Sequence, residues 1–193
     1  MSAATALQAS GHPIGPVHLS HAEIGARVQE LGAAIAADYA GRDVLLVAPL
    51  KSSAVFLADL SRALPLPHAI DVIELAPYVP GRNGDAVRLL KDLDTAIDDR
   101  HVIVVEDVVD TGLTLGFLTR TLELRGPAEV AAVTLLDRPY RRLVDDLPLR
   151  YVGFTVPDEL FAGYGLGLDE RWRALPDLHV VLSEQLPAAI DAA

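Results

Sequence analysis

The chain has 193 residues, 51% of them hydrophobic, a formal net charge of −11 and no cysteine. This length predicts one domain with a core that needs no staples, and the missing cysteines exclude a disulfide framework or a zinc–thiolate centre. The acidic balance argues against non-specific nucleic-acid binding, which needs Lys and Arg to neutralise phosphates, and no apolar run approaches the ~20 residues of a membrane span.

Met1 to Val17 carries no Lys or Arg and no continuous apolar block, so it reads as neither a signal nor a transit peptide. Residues 1–18 are expected to form a flexible arm, 19–185 the domain and 186–193 a tail. Ser20-His21-Ala22-Glu23 has the form of a capping box, with Ser20 as N-cap and Glu23 reaching back to it. The helix it opens runs to about Tyr39, with Ile24, Val28, Leu31 and Ile35 on one face and Gly41 as its stop. Asp43 to Val47 predicts a buried strand, Ser53 to Ala63 a helix, and His68 to Leu75 a further strand.

Ala76 to Ala86 holds two Pro and two Gly and breaks every period, so it reads as a long loop. Strand character returns at Val87 to Lys91. His101 to Val105 reads as a central strand buried on both faces, and a helix over about Thr114 to Leu124 follows it. Val130 to Leu136 and Tyr151 to Val156 complete the strands. Alternating strand and helix predicts an α/β fold with a doubly wound, mainly parallel sheet.

The most informative run is Val105-Glu106-Asp107-Val108-Val109-Asp110-Thr111-Gly112-Leu113-Thr114. Two adjacent carboxylates stand at the carboxyl end of a buried strand, before a tight turn into a helix. Ligands of open α/β sheets bind at such ends. The Thr111 and Thr114 hydroxyls, with backbone N–H groups around Gly112, suit a phosphate at a helix N-terminus. Glu106 and Asp107 suit sugar hydroxyls or a magnesium ion on the same ligand.

This run resembles the phosphoribosyl-pyrophosphate (PRPP) signature of type I phosphoribosyltransferases, and the chain is similar to their hypoxanthine-guanine branch. Pro49-Leu50-Lys51-Ser52, Arg88 to Asp94, Thr134 to Pro139, Tyr151 to Phe154, Gly163 to Leu166 and Asp169 to Arg171 follow in family order over roughly residues 20 to 183. The resemblance implies the type I fold with a small base-binding hood. It also implies transfer of ribose 5-phosphate from PRPP to a ring nitrogen of a purine-type base, releasing pyrophosphate. By resemblance Glu106 and Asp107 face the ribose hydroxyls and the associated magnesium, and Thr111, Gly112, Leu113 and Thr114 form the 5-phosphate loop. Asp110 matches the general base, although an N-cap role is open to it as well. Leu50, Lys51 and Ser52 match the pyrophosphate loop, which in the family often carries a non-proline cis peptide. Arg173 matches a second pyrophosphate contact, and Tyr78 the lid tyrosine. The family further implies magnesium as cofactor, a homodimer or homotetramer and a cytoplasmic location.

The departures cluster on the base side. Arg138 stands where the family carries the Lys that reads the purine 6-oxo group, and a planar fork does not replace a point charge conservatively. Leu160 stands where an aromatic ring stacks on the base, with Phe161 one position on, so loss and slippage are both open. Gly167 stands for an Asp near the metal and the base edge, Pro77 for the Ser before the lid tyrosine, and Ala48, Pro49 and Ser52 depart within the pyrophosphate loop. The leading expectation is salvage of hypoxanthine or guanine. The alternatives are the same reaction on a modified or 7-deazapurine base, and a catalytically weak nucleotide-sensing homologue.

Overall fold

A computed structural model describes residues 12–76 and 88–182. Six strands form the main sheet: β2 (Val44–Leu50), β3 (His68–Leu75), β4 (Leu89–Lys91), β5 (His101–Val109), β6 (Glu129–Asp137) and β7 (Leu149–Thr155). Their order is β4-β3-β2-β5-β6-β7, and only the edge strand β4 runs antiparallel. Three helices cover the sheet: α1 (His21–Asp38), α2 (Ala54–Ala63) and α3 (Leu113–Glu123). A second sheet, in the order β1-β9-β8, joins β1 (Ile14–Leu19), β8 (Phe161–Ala162) and β9 (Leu178–Val181) antiparallel.

Side-chain alternation assigns the two faces of the main sheet. Leu46, Ile103, Val105 and Leu135 pack with Ile24, Ile35, Phe56 and Leu60 of α1 and α2. Leu45, Val47, Val102 and Val104 pack with Leu115, Leu118 and Leu122 of α3. The strands are therefore apolar on both faces, which is the pattern of a parallel sheet sandwiched between helices. Helix α1 starts as its capping box requires: Ser20 Oγ accepts from the Glu23 amide at 3.3 Å, and the Glu23 carboxylate accepts from the Ser20 amide at 2.8 Å.

Two boundaries differ from the sequence reading for a pairing reason, and one short turn is added. Residues 14–18 are not part of an arm: β1 pairs with β9 and buries Ile14 completely. Strand β5 does not stop at Val105 but carries Glu106 and Asp107 within it, because its backbone stays paired to β6 as far as Val109 with Asp137. The segment after β6 holds a short 3-10 turn at Pro139–Arg141. The long loop, Tyr78 within it and the C-terminal tail lie largely or wholly outside the described residues.

Two glycines of α1 test the packing. A Cβ at Gly32 would lie 2.5 Å from the Ala63 carbonyl oxygen of α2, a backbone atom that cannot swing away, whereas a Cβ at Gly25 would meet nothing within 4 Å. Gly25→Ala is expected to stabilise the fold by about 0.5–1 kcal/mol through helix propensity. Gly32→Ala is expected to cost about 1–3 kcal/mol by overpacking. For a chain of this size each 1 kcal/mol shifts Tm by about 2–4 °C, so thermal unfolding should move the two variants in opposite directions. Equal shifts would contradict this helix contact.

Candidate active site

Strands β2 and β5 pair only over Val44–Val47 and His101–Val104. Beyond that point β2 follows β3 to Leu50, and β5 follows β6 to Val109. The chain also reverses its direction of travel across the sheet at this pair, which makes it the topological switch point where ligands of such sheets bind. A cleft of about 310 Å³ opens there, lined by Pro49, Leu50, Ser52, Leu75 and Ala76 on one side. The other side is Glu106 to Gly112 with Thr114 and Leu115.

Glu106 and Asp107 line this cleft yet are only 6% and 5% exposed. Ser53 Oγ donates to an Asp107 carboxylate oxygen at 3.2 Å and lies 3.2 Å from the Asp107 amide. Burial, and then the neighbouring Asp107 charge, pushes the Glu106 carboxyl well above the usual carboxylate range. Burial also raises Asp107, opposed by hydrogen bonds that include those from Ser52 and Ser53. Burial of these two neighbouring acids thus favours a proton, or the charge of a cation brought by a ligand.

The turn after β5 is held by backbone. Gly112 adopts the left-handed conformation at φ 82 and is the N-cap of α3, with no side-chain cap. The N-cap position predicted as open to Asp110 therefore belongs to Gly112. A Cβ at Gly112 would lie 2.7 Å from Leu147 Cδ1, the end of a side chain that can move aside, so it is the positive φ that calls for glycine here. Thr111 Oγ1 accepts from the Leu113 amide at 3.3 Å, and the Thr111 carbonyl accepts from the Leu143 amide at 2.9 Å. Thr114 is exposed on the first turn of α3, whose positive end faces the loop. Leu113, half exposed, does not line the cleft.

Asp110 meets Arg138, which the end of β6 delivers. Arg138 Nη1 lies 3.4 Å from Asp110 Oδ2, and its Nη2 donates to Asp158 at 2.5 Å. Arg138 is buried and is not on the cleft wall, whereas Asp110 is; among the described residues Arg138 Nε and Asp110 Oδ1 have no hydrogen-bond partner. Buried polar atoms are nearly always satisfied, so the Asp110 carboxylate keeps acceptor capacity at the cleft.

The residues matched by resemblance to the pyrophosphate loop gather at the end of β2, where the Leu50–Lys51 peptide is cis. Lys51 Nζ bonds Glu170 at 2.8 Å, and Arg173 Nη2 bonds the same carboxylate at 3.3 Å. Gly165, at φ 95, lies so close to the Ser52 carbonyl that a Cβ would stand 2.3 Å from it, and this ties the hood to the loop. The Arg173 guanidinium lies across Gly167, where a Cβ would stand 2.5 Å from Cζ. Space that an Asp side chain would need is thus filled by this arginine. Phe161 is in β8 and packs into the main core, 4.8 Å from the His18 ring, while Leu160 holds the exposed position beside it. The structure therefore brings neither Phe161 nor Leu160 to the cleft wall. Ser53 and Asp158 carry no assigned site role in the sequence, and Glu170 stands there only within the Asp169 to Arg171 piece of the resemblance. Ser53 reads there as a helix start, and Asp158 and Glu170 reach their partners over 20 and 119 residues of chain.

The phosphoribosyl transferase domain family matches residues 19–168. The chain is 42% identical over 163 residues to a hypoxanthine phosphoribosyltransferase of Salmonella typhimurium, covering 83% of this chain and 91% of that one. It is 41% identical over 169 residues to a hypoxanthine-guanine phosphoribosyltransferase of Mycobacterium avium, covering 84% and 83%. A crystal structure of a hypoxanthine-guanine phosphoribosyltransferase from Bacillus anthracis superposes with a TM-score of 0.83 at 39% identity, covering 89% of this chain and 99% of that one. Sequence and fold agree over most of the chain, and this chain belongs to the phosphoribosyl transferase domain family.

Proposed function

We propose that this protein transfers the 5-phosphoribosyl group of PRPP to hypoxanthine or guanine, releasing pyrophosphate, as a purine-salvage enzyme. The observation that carries the base assignment is the Asp110 carboxylate on the cleft wall with the Arg138 guanidinium hydrogen-bonded to it. A 6-oxopurine offers a ring N–H at N7 beside a carbonyl oxygen, the complement of a carboxylate acceptor beside a guanidinium donor. A 7-deazapurine lacks N7 and would leave Asp110 Oδ1 unsatisfied, so the ordinary base is favoured over that alternative.

The roles follow from position. Asp110 takes the proton from N7 as the glycosidic bond forms, and Arg138 receives the charge that spreads to the 6-oxo oxygen. Thr111, Gly112, Leu113 and Thr114 hold the 5-phosphate at the start of α3. Glu106 and Asp107 hold the ribose hydroxyls, Leu50, Lys51, Ser52 and Arg173 the leaving pyrophosphate, and Leu160 stays matched to the base-stacking position by resemblance. Tyr78 stays assigned to the lid by resemblance, and Phe161 supports the hood from the core. Most of the rate then comes from positioning and preorganised charge.

Magnesium binds through one or two carboxylates plus substrate phosphates and water. Glu106 and Asp107 fit that requirement, since two buried acids of raised proton affinity gain from a cation. When bound with PRPP, the ion would screen the pyrophosphate charge. Family resemblance supports a homodimer or homotetramer in the cytoplasm as part of the same reading. Among the described residues no helix is long and apolar enough to cross a membrane.

Pyrophosphate release from PRPP and magnesium with hypoxanthine or guanine is the direct test, with Asp110→Asn as the diagnostic variant. Loss of a general base costs about 10²- to 10⁴-fold in turnover, while PRPP should still raise Tm. Undiminished turnover in the variant would remove Asp110 from its role. No release by the native chain with either base would overturn the proposed activity.

Glu106 carries a second prediction. The folded chain binds its proton more tightly than the unfolded chain, whose ordinary value is 4.5. Stability should therefore fall as pH rises from that value through the raised folded one. Glu106→Gln removes this loss, so without ligand its Tm should exceed the native value at pH 7, by about 2–4 °C per kcal/mol recovered. The gain should shrink toward pH 4. A variant less stable than the native chain at pH 7 would contradict the burial account.

A further inference from the structure

Arg138 is a buried cation with two carboxylates in reach, and it is not shared equally between them. The contact to Asp158 is short, at 2.5 Å, while that to Asp110 is long, at 3.4 Å, and uses one carboxylate oxygen. Asp158 Oδ1 also accepts from Arg141 Nε at 2.6 Å, so one oxygen ties two guanidinium groups. The backbone that carries Asp158 is itself fixed. The Val156 amide donates to the Asp137 carbonyl at 3.0 Å, the Tyr140 hydroxyl donates to the Val156 carbonyl, and Pro157 precedes Asp158 directly.

A guanidinium facing a carboxylate tends to close into a bidentate pair. If Arg138 closed onto Asp110, both carboxylate oxygens would be occupied and the fork would turn from the base. A lysine ammonium is a compact point charge, whereas an arginine fork needs a second acceptor to fix its plane. We propose that Asp158 is a positioning residue that holds Arg138 off Asp110, keeping the Asp110 carboxylate from closing into a bidentate pair and the Arg138 fork in place for the base. This rests on the reading in which Asp110 and Arg138 meet the purine.

The test compares Asp158→Asn, which keeps the shape and removes the charge, in the native chain and in an Arg138→Lys background. In the native chain, kcat/KM for hypoxanthine should fall on the order of 10- to 100-fold, with KM for PRPP and Tm nearly unchanged and with Asp158→Glu restoring part of the loss. In the Arg138→Lys background the same substitution should cost less than about threefold, because residues that act through one another do not add. Equal losses in both backgrounds, or a matching rise in KM for PRPP, would overturn the positioning role. Crystal structures of the native chain and Asp158→Asn decide the point without turnover. A bidentate Arg138–Asp110 pair with both contacts near 2.8 Å in the variant supports the proposal, and an unchanged long single contact overturns it. A native chain that turns over neither hypoxanthine nor guanine would instead remove the underlying activity, an outcome distinct from indifference to Asp158.

Discussion

The parting of β2 from β5 is the constraint on which the rest of the site depends. The two strands share four register positions, Val44–Val47 with His101–Val104, and then each follows its other neighbour. A parallel sheet held together by helices on both faces leaves few places where backbone can be approached end-on, and a point where two neighbours diverge is one of them. Everything that resembles the signature hangs from these two strand ends: the Leu50–Lys51 peptide from β2, the carboxylates and the phosphate turn from β5. Buried apolar residues on both faces upstream of the divergence fix the relative height of the two ends.

Electrostatics at this point are paired by sign. Glu106 and Asp107 are acids kept out of water, which is unfavourable unless a cation or hydroxyl donors arrive with the ligand. Around them stand cations that are already engaged: Lys51 and Arg173 by Glu170, Arg138 and Arg141 by Asp158. Glu170 and Asp158 are both substantially exposed, so their pairs add little to stability on their own. Their effect is on geometry, since each binds two cationic side chains on opposite sides of the cleft. The hydrogen bonds from Arg141, and then Arg138, hold the Asp158 carboxyl below its usual range, so it stays charged through neutral pH.

Local signals carried far in the sequence. The capping box at Ser20, the strand at His68–Leu75 and the stop at Gly41 are each a property of a few neighbouring residues, and such features read directly. The carboxyl end of β5 did not read as strand, because Glu106 and Asp107 have poor strand propensity and only pairing with β6 keeps the backbone extended. Strands β1, β8 and β9 are short, and β1 meets β9 from opposite ends of the chain, so no local pattern announces them. Phe161 shows the same limit on one residue. Its position beside Leu160 leaves loss and slippage both open in sequence, and only the pairing of β8 with β9, Phe161 opposite Val180, places the ring in the core. Asp158 carries no signal at all in the sequence, since its partner lies across β7.

In the proposed reaction the Asp110–Arg138 pair reads a donor beside an acceptor on a purine edge. Initial rates of pyrophosphate release with hypoxanthine, its 7-deaza analogue and adenine, at saturating PRPP and magnesium, test it most directly, because each analogue changes one position of that edge. A site built to hydrogen-bond a group rejects the analogue lacking it by about 10⁴- to 10⁵-fold at its strongest. The account predicts release with hypoxanthine and losses of at least about 10²-fold for both analogues. Comparable rates for all three bases would contradict it.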